Sequence, residues 1–177
     1  MQKYYLYHRV PDDLEGQTLF PLNTLKEKYP ELYDKKVRKY IGREFIQEQI
    51  IPTLNCLWND VLHLSAIPPK DLKNALVEAG VEVGELNFYQ IDPELLNPDN
   101  TTVYLYADTS NKVKMELENF AEYIPNEIEQ YSPIPKETKE YYKKRIDEGE
   151  QPLIYVRVPH ILFKGSIDVS NLPIITV

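Results

Sequence analysis

Cysteine is almost missing from this sequence: Cys56 is the single one in 177 residues. One thiol can close no internal disulfide and supply no thiolate cage for zinc, so packing must hold the fold. Glycine is scarce as well, with six residues scattered singly, which excludes the glycine-rich loops that cradle phosphates in P-loop and Rossmann proteins. No apolar run approaches the roughly 20 residues needed to span a bilayer, and the opening MQKYYLYHRV lacks the apolar core and cleavage site of a secretory signal. The chain is therefore read as soluble and cytoplasmic, with no membrane contact. Glycine-flanked serine elbows and helical histidine pairs are also lacking.

What is abundant is acid and tyrosine. Twenty-eight Asp and Glu against 20 Lys and Arg give a formal charge of −8, a field that repels phosphate backbones and argues against sequence-general nucleic-acid binding. Fourteen tyrosines suit half-wet positions, where the ring is buried and the hydroxyl finds a polar partner. They point to a lined groove or to a partner-binding surface. The length fits one hydrophobic core, so residues 1–177 are read as a single domain.

Periodicity supplies the elements. YYLYHRV (4–10), VLHLSAI (61–67), LNFYQI (86–91), TTVYLYA (101–107), PLIYVRV (152–158) and LPIITV (172–177) read as strands. Residues 22–49 read as a long helical segment interrupted near Pro30, with Tyr29, Tyr33, Val37, Tyr40 and Ile41 as its core stripe. PKDLKNALVEAG (69–80) is a helix opened by proline and stopped by Gly80. Residues 115–131 and 135–147 also read as helical. The mixture lacks a βαβ repeat, which predicts an α+β fold with one mixed or antiparallel sheet of about five or six strands.

Unusual residues concentrate in CLWNDVLHLSAIPP (56–69). Cys56 and Trp58 are expected to anchor the core, with Asn59 and Asp60 forming a turn, so that only His63 and Ser65 could face a cleft. Cys56 lies in apolar surroundings that would raise its pKa and leave it inert. Histidines 8, 63 and 160 all fall in or beside strands and could converge on a metal with Asp60, but no spacing supports this and no metal is expected. The run Lys35, Lys36, Arg38, Lys39 and Arg43 reads either as a wet helix face paired with Glu31 and Asp34 or as a seat for an anion.

Tyr7-His8-Arg9 on the first strand, and Glu148-Gly149-Glu150 just before the late strand PLIYVRV, resemble the arrangement of ADP-ribosyltransferase folds of the toxin branch. The resemblance covers about a tenth of the chain. It implies that His8 or Arg9 holds a ribose of NAD, and that Glu148 or Glu150 stabilises the cationic sugar as nicotinamide leaves. Such an oxocarbenium-like centre needs a placed carboxylate. His63-Leu64-Ser65 would stand in for the family's Ser-Thr-Ser strand, and Lys39 or Arg43 would meet the pyrophosphate. The reading implied is an NAD-dependent enzyme that modifies a macromolecule. Its alternative is a non-catalytic interaction protein with a tyrosine-rich binding surface, and the sequence leaves open whether the chain is an enzyme.

Overall fold

The computed structural model describes residues 3–106 and 115–177. In chain order the regular elements are β1 (Leu6–Arg9), β2 (Thr18–Leu19), α1 (Leu22–Lys28), α2 (Pro30–Val37), β3 (Ile50–Ile51), β4 (Cys56–Leu57), β5 (Leu62–Leu64) and α3 (Pro69–Glu78). They continue with β6 (Asn87–Ile91), β7 (Thr101–Tyr104), β8 (Phe120–Glu122), α4 (Lys136–Asp147), β9 (His160–Phe163), β10 (Ile167–Asp168) and β11 (Ile174–Thr176). The mixed helix and strand content expected from the sequence is present, and no helix among the described residues is long and apolar enough to cross a membrane.

The expected single sheet is instead divided. One sheet has the order β1-β6-β11 and another β5-β9-β7-β8, with β2-β10 and β3-β4 as two-stranded ribbons; every pairing is antiparallel. The two larger sheets touch through one bridge, in which Tyr7 and Ser65 exchange backbone hydrogen bonds of 2.8 and 3.1 Å. Pairing goes no further because Pro68 and Pro69 redirect the chain into α3, and proline offers no backbone donor. Leu6, Leu64, Ile91, Val103 and Ile161 nevertheless share one core cluster across both sheets. Each such aliphatic side chain withdrawn from water contributes about 1.5–3 kcal/mol.

Three other expectations are corrected. Residues 22–49 are not a long helix: Tyr29, pushed by Pro30 to φ −141° and ψ 73°, separates α1 from α2. Beyond Val37 the chain tightens into short 3-10 turns, with Gly42 at φ 80° between them. The inward residues are Leu25, Leu32 and Tyr40, whereas Ile41 is 76% exposed. Residues 115–131 contain a 3-10 turn, then β8, then a 3-10 stretch opened by Pro125, because Phe120 and Ala121 pair with Tyr104 and Val103 on β7. PLIYVRV forms no strand, since Arg157 sits in the left-handed region at φ 59°. That segment is pinned by α4, where Thr138 Oγ1 lies 2.9 Å from the Arg157 carbonyl and the Tyr142 hydroxyl donates to Ile154. β1, β5, β6, β7 and β11 fall inside their expected spans, apart from Ala107, which lies outside the described residues, whereas β2, β3, β4, β9 and β10 lie where no strand was expected. Helix α3 matches closely, with Pro69 in its first turn, Leu72, Ala75 and Leu76 buried, and Gly80 at φ 98° after its end.

Candidate ligand-binding cavity

Beside the junction of the two sheets lies an open-sided cavity of about 650 Å³. Its size falls within the range of small-molecule sites, roughly 300–1,000 Å³. β1 contributes Tyr7, His8 and Arg9, and β5 contributes His63 and Ser65. The turn after α2 brings Lys39, Tyr40 and Arg43, and the turn segment after α4 supplies Ile154, Tyr155 and Val158.

The floor is an aromatic and imidazole cluster fixed by strand register. Tyr104 on β7 lies opposite His160 on β9, while His63 on β5 lies opposite Leu162, two residues from His160 on the same face. The His63 and His160 ring centroids are consequently 6.2 Å apart at 89°. Trp58, carried by a 3-10 turn, stands 4.5 Å from His63 and 5.5 Å from Tyr104, edge-on to the latter. Its backbone oxygen lies 3.0 Å from His63 Nε2. The Tyr40 hydroxyl bonds to the Trp58 side chain and donates to Asn59 Oδ1 at 2.8 Å, which locks the indole in place. Tyr40 loses its proton only with difficulty, pushed up to about 12 by burial.

Burial also governs the histidines. It holds His63 down at about 3, helped by the charges of His160 and Lys39, and His8 at about 4, helped by Lys36 and Lys39. His160 is lowered by burial too. All three rings are therefore uncharged near neutral pH.

The opposite wall is cationic. Arg9, Lys36, Lys39 and Arg43 line it, and Glu15 is the carboxylate among the described lining residues. Lys36 is neutralised by Asp13 at 2.8 Å, a carboxylate that Lys35 shares at 3.0 Å. This differs from the pairing with Glu31 and Asp34 expected for a wet helix face. Arg9, Lys39 and Arg43 form no ion pair with a described carboxylate. Lys39 has its pKa lowered by burial first and then by Lys36 and Arg43, so its electrostatic neighbours repel it. Arg43 is steadied by donating from Nη2 to the Lys39 carbonyl at 2.8 Å.

His8, Arg9, Lys39, Arg43, His63 and Ser65, six of the residues singled out from sequence, thus meet around one space. The Ser65 hydroxyl already accepts the Ile67 amide at 3.1 Å, a turn-forming role. Glu148 and Glu150 do not join them. They lie exposed at the C-terminal end of α4, where Arg145 pairs with both, and neither lines the cavity. Asp60 is occupied structurally, accepting from Asn23 Nδ2 at 2.7 Å and from the Leu57 amide at 2.8 Å. Among the described residues no group of three or more His, Cys, Asp or Glu is placed to hold a metal ion. Cys56 is buried, which raises its pKa.

Sequence reasoning treated Trp58 as scaffold and overlooked Tyr104 and Tyr155. The concentration of rare residues around Trp58 was the available signal, but their facing direction depends on the β5-β9-β7 register. Of the fourteen tyrosines, Tyr7, Tyr40, Tyr89, Tyr104, Tyr123 and Tyr142 are in the core, and the other eight are half-buried. No protein-family model, curated protein or solved structure matches the chain.

Proposed function

We propose that this cavity binds a phosphorylated small molecule carrying a flat ring, a ligand of the nucleotide class for which NAD is the first probe. The observation that supports it is the presence, in one concave space, of three cations that pair with no described carboxylate and a cluster of tilted and edge-on rings built around Trp58. Clustered cations that repel one another are relieved by an anion, and guanidinium and ammonium groups bind phosphate through charge-assisted hydrogen bonds. An indole flanked by uncharged imidazoles offers a surface on which a base or pyridine ring stacks.

Calorimetric titration and thermal denaturation with NAD and AMP test this reading. Binding raises the melting temperature, by linkage worth about 2.7 kcal/mol at a ligand concentration one hundred times Kd. Arg43→Met weakens binding about tenfold or more, as expected for loss of a hydrogen bond to a charged group. A folded protein that shows no shift with either compound at millimolar concentration refutes the proposal.

A second reading, ADP-ribosyl transfer to a macromolecule, draws support from His8 and Arg9 sharing the cavity with His63 and Ser65. It needs a carboxylate beside the ribose, and Glu15 is the carboxylate that lines this space. On that reading NAD is consumed with release of nicotinamide, and Glu15→Gln stops the release without preventing NAD binding. Binding with no detectable nicotinamide release leaves a binding protein and removes the transferase.

A further inference from the structure

Each cavity histidine commits one ring nitrogen to a backbone carbonyl. His8 Nδ1 is 2.7 Å from the Arg9 oxygen, His63 Nε2 is 3.0 Å from that of Trp58, and His160 Nδ1 is 2.8 Å from that of Val158. A carbonyl oxygen can only accept, so the proton of each neutral ring resides on the committed nitrogen. The opposite nitrogens, Nε2 of His8, Nδ1 of His63 and Nε2 of His160, are left with lone pairs. They are not sealed away, since the unpartnered buried side-chain nitrogens among the described residues belong to Asn59 and Arg145. All three rings line the cavity, and β-register puts His63 and His160 on one face beside Trp58.

We infer, building on the nucleotide-class reading above, that the ring end of the ligand is an uncharged hydrogen-bond donor, a carboxamide or an exocyclic amine. It lies against His63 and His160, with the phosphate at Lys39 and Arg43. A carboxylate in the same place would set its oxygen lone pairs against those of the imidazoles. Accommodating it would require protonating rings that burial keeps neutral. A carboxamide or amine satisfies the same nitrogens at no such cost, whereas an acceptor set against an acceptor leaves both without a partner.

The experiment is calorimetric titration of the full chain near pH 7.5 with two matched pairs. These are nicotinamide mononucleotide against nicotinic acid mononucleotide, which exchanges amide for acid, and AMP against purine riboside monophosphate, which removes the exocyclic amine. Inorganic phosphate serves as the phosphate-only reference. The donor-bearing member is expected to bind about tenfold tighter or more in one of the pairs, and the pair that shows it identifies amide or amine. His160→Phe is expected to narrow that preference while leaving the affinity for inorganic phosphate unchanged. The ligand comparison itself uses only the unaltered protein, so it stands even if the variant folds poorly. Equal affinity within both pairs, or tighter binding of the acid and amine-free members, overturns the donor assignment while preserving the nucleotide reading. No binding by any of the four nucleotides overturns both.

Discussion

The basic run 35–43 and the acidic pair Glu148 and Glu150 resemble each other in the sequence, as charged patches near helix ends, yet the fold treats them in opposite ways. Along α4 the charges cancel within the element: Lys143 pairs with Asp147 at 3.5 Å, Lys144 with Glu148 at 3.8 Å, and Arg145 with Glu148 and Glu150. Such exposed pairs contribute about 0–1 kcal/mol each, so they describe a solvated helix more than a site. Around the end of α2, Lys39 and Arg43 sit exposed at the rim of the cavity, and among the described residues only Lys35 and Lys36 of this run find a carboxylate, Asp13 from a distant segment. Lys39 and Arg43 are left beside each other and beside uncharged imidazoles. Charge cancelled on its own helix is scaffold; charge retained in a concave space without a counter-ion marks where a ligand supplies one.

The strongest way to break this contrast is to remove the charge at the cavity rim. The double variant Lys39→Met/Arg43→Met is expected to lose about 100-fold in affinity for NAD or AMP, roughly a factor of ten for each lost charge-assisted contact. Its melting temperature without ligand should hold or rise, because burial and two cationic neighbours disfavour the charged form of Lys39. Titration and scanning calorimetry read the two effects separately. Wild-type affinity in a well-folded double variant would erase the distinction between the two patches.

Acid titration sharpens the same comparison from the imidazole side. The folded pKa of His63 is about 3 and that of His8 about 4, both lowered from 6.5 by burial. Below 6.5 the unfolded chain takes up protons that the folded chain refuses. Stability is therefore complete above pH 6.5 and falls as the pH drops toward 4 and then 3. For two rings that retain some access to water, the loss by pH 5 is on the order of 2 kcal/mol. Chemical denaturation at pH 7.5 and pH 5 measures it. The histidine variants His8→Phe and His63→Phe should flatten the slope, whereas Glu150→Gln should leave it in place.

Local chemistry made part of the fold legible. Pro69 and Gly80 bracket α3 where they were expected to, and β6 and β11 lie within their apolar runs. The errors came where a long-range partner outweighed local pattern. Phe120 to Glu122 carry no strand alternation of their own and become β8 only because β7 offers an edge, while PLIYVRV alternates well yet is held open by Thr138 and Tyr142 of α4. The site shows the same division. His8 and His63 were identifiable because imidazole is rare and interrupts apolar strands, and Lys39 and Arg43 because they belong to a dense basic run in an acidic chain. Trp58, Tyr104 and His160 acquire a common face only through cross-strand register, which residue type does not encode.

The smallest expected effect concerns the acidic pair itself. Glu148→Gln and Glu150→Gln each remove one exposed partner of Arg145, and the surviving carboxylate keeps that guanidinium paired in either single variant. Surface substitutions of this kind change stability by about 0.5 kcal/mol or less. Neither residue lines the cavity, so NAD affinity should stay within about twofold of the parent, a difference below about 0.5 kcal/mol. A tenfold loss in either variant, with the fold intact by calorimetry, would mean that the end of α4 reaches the ligand after all. In that case the two charged patches would be halves of one site, and the carboxylate demanded by glycosidic chemistry would again be at hand.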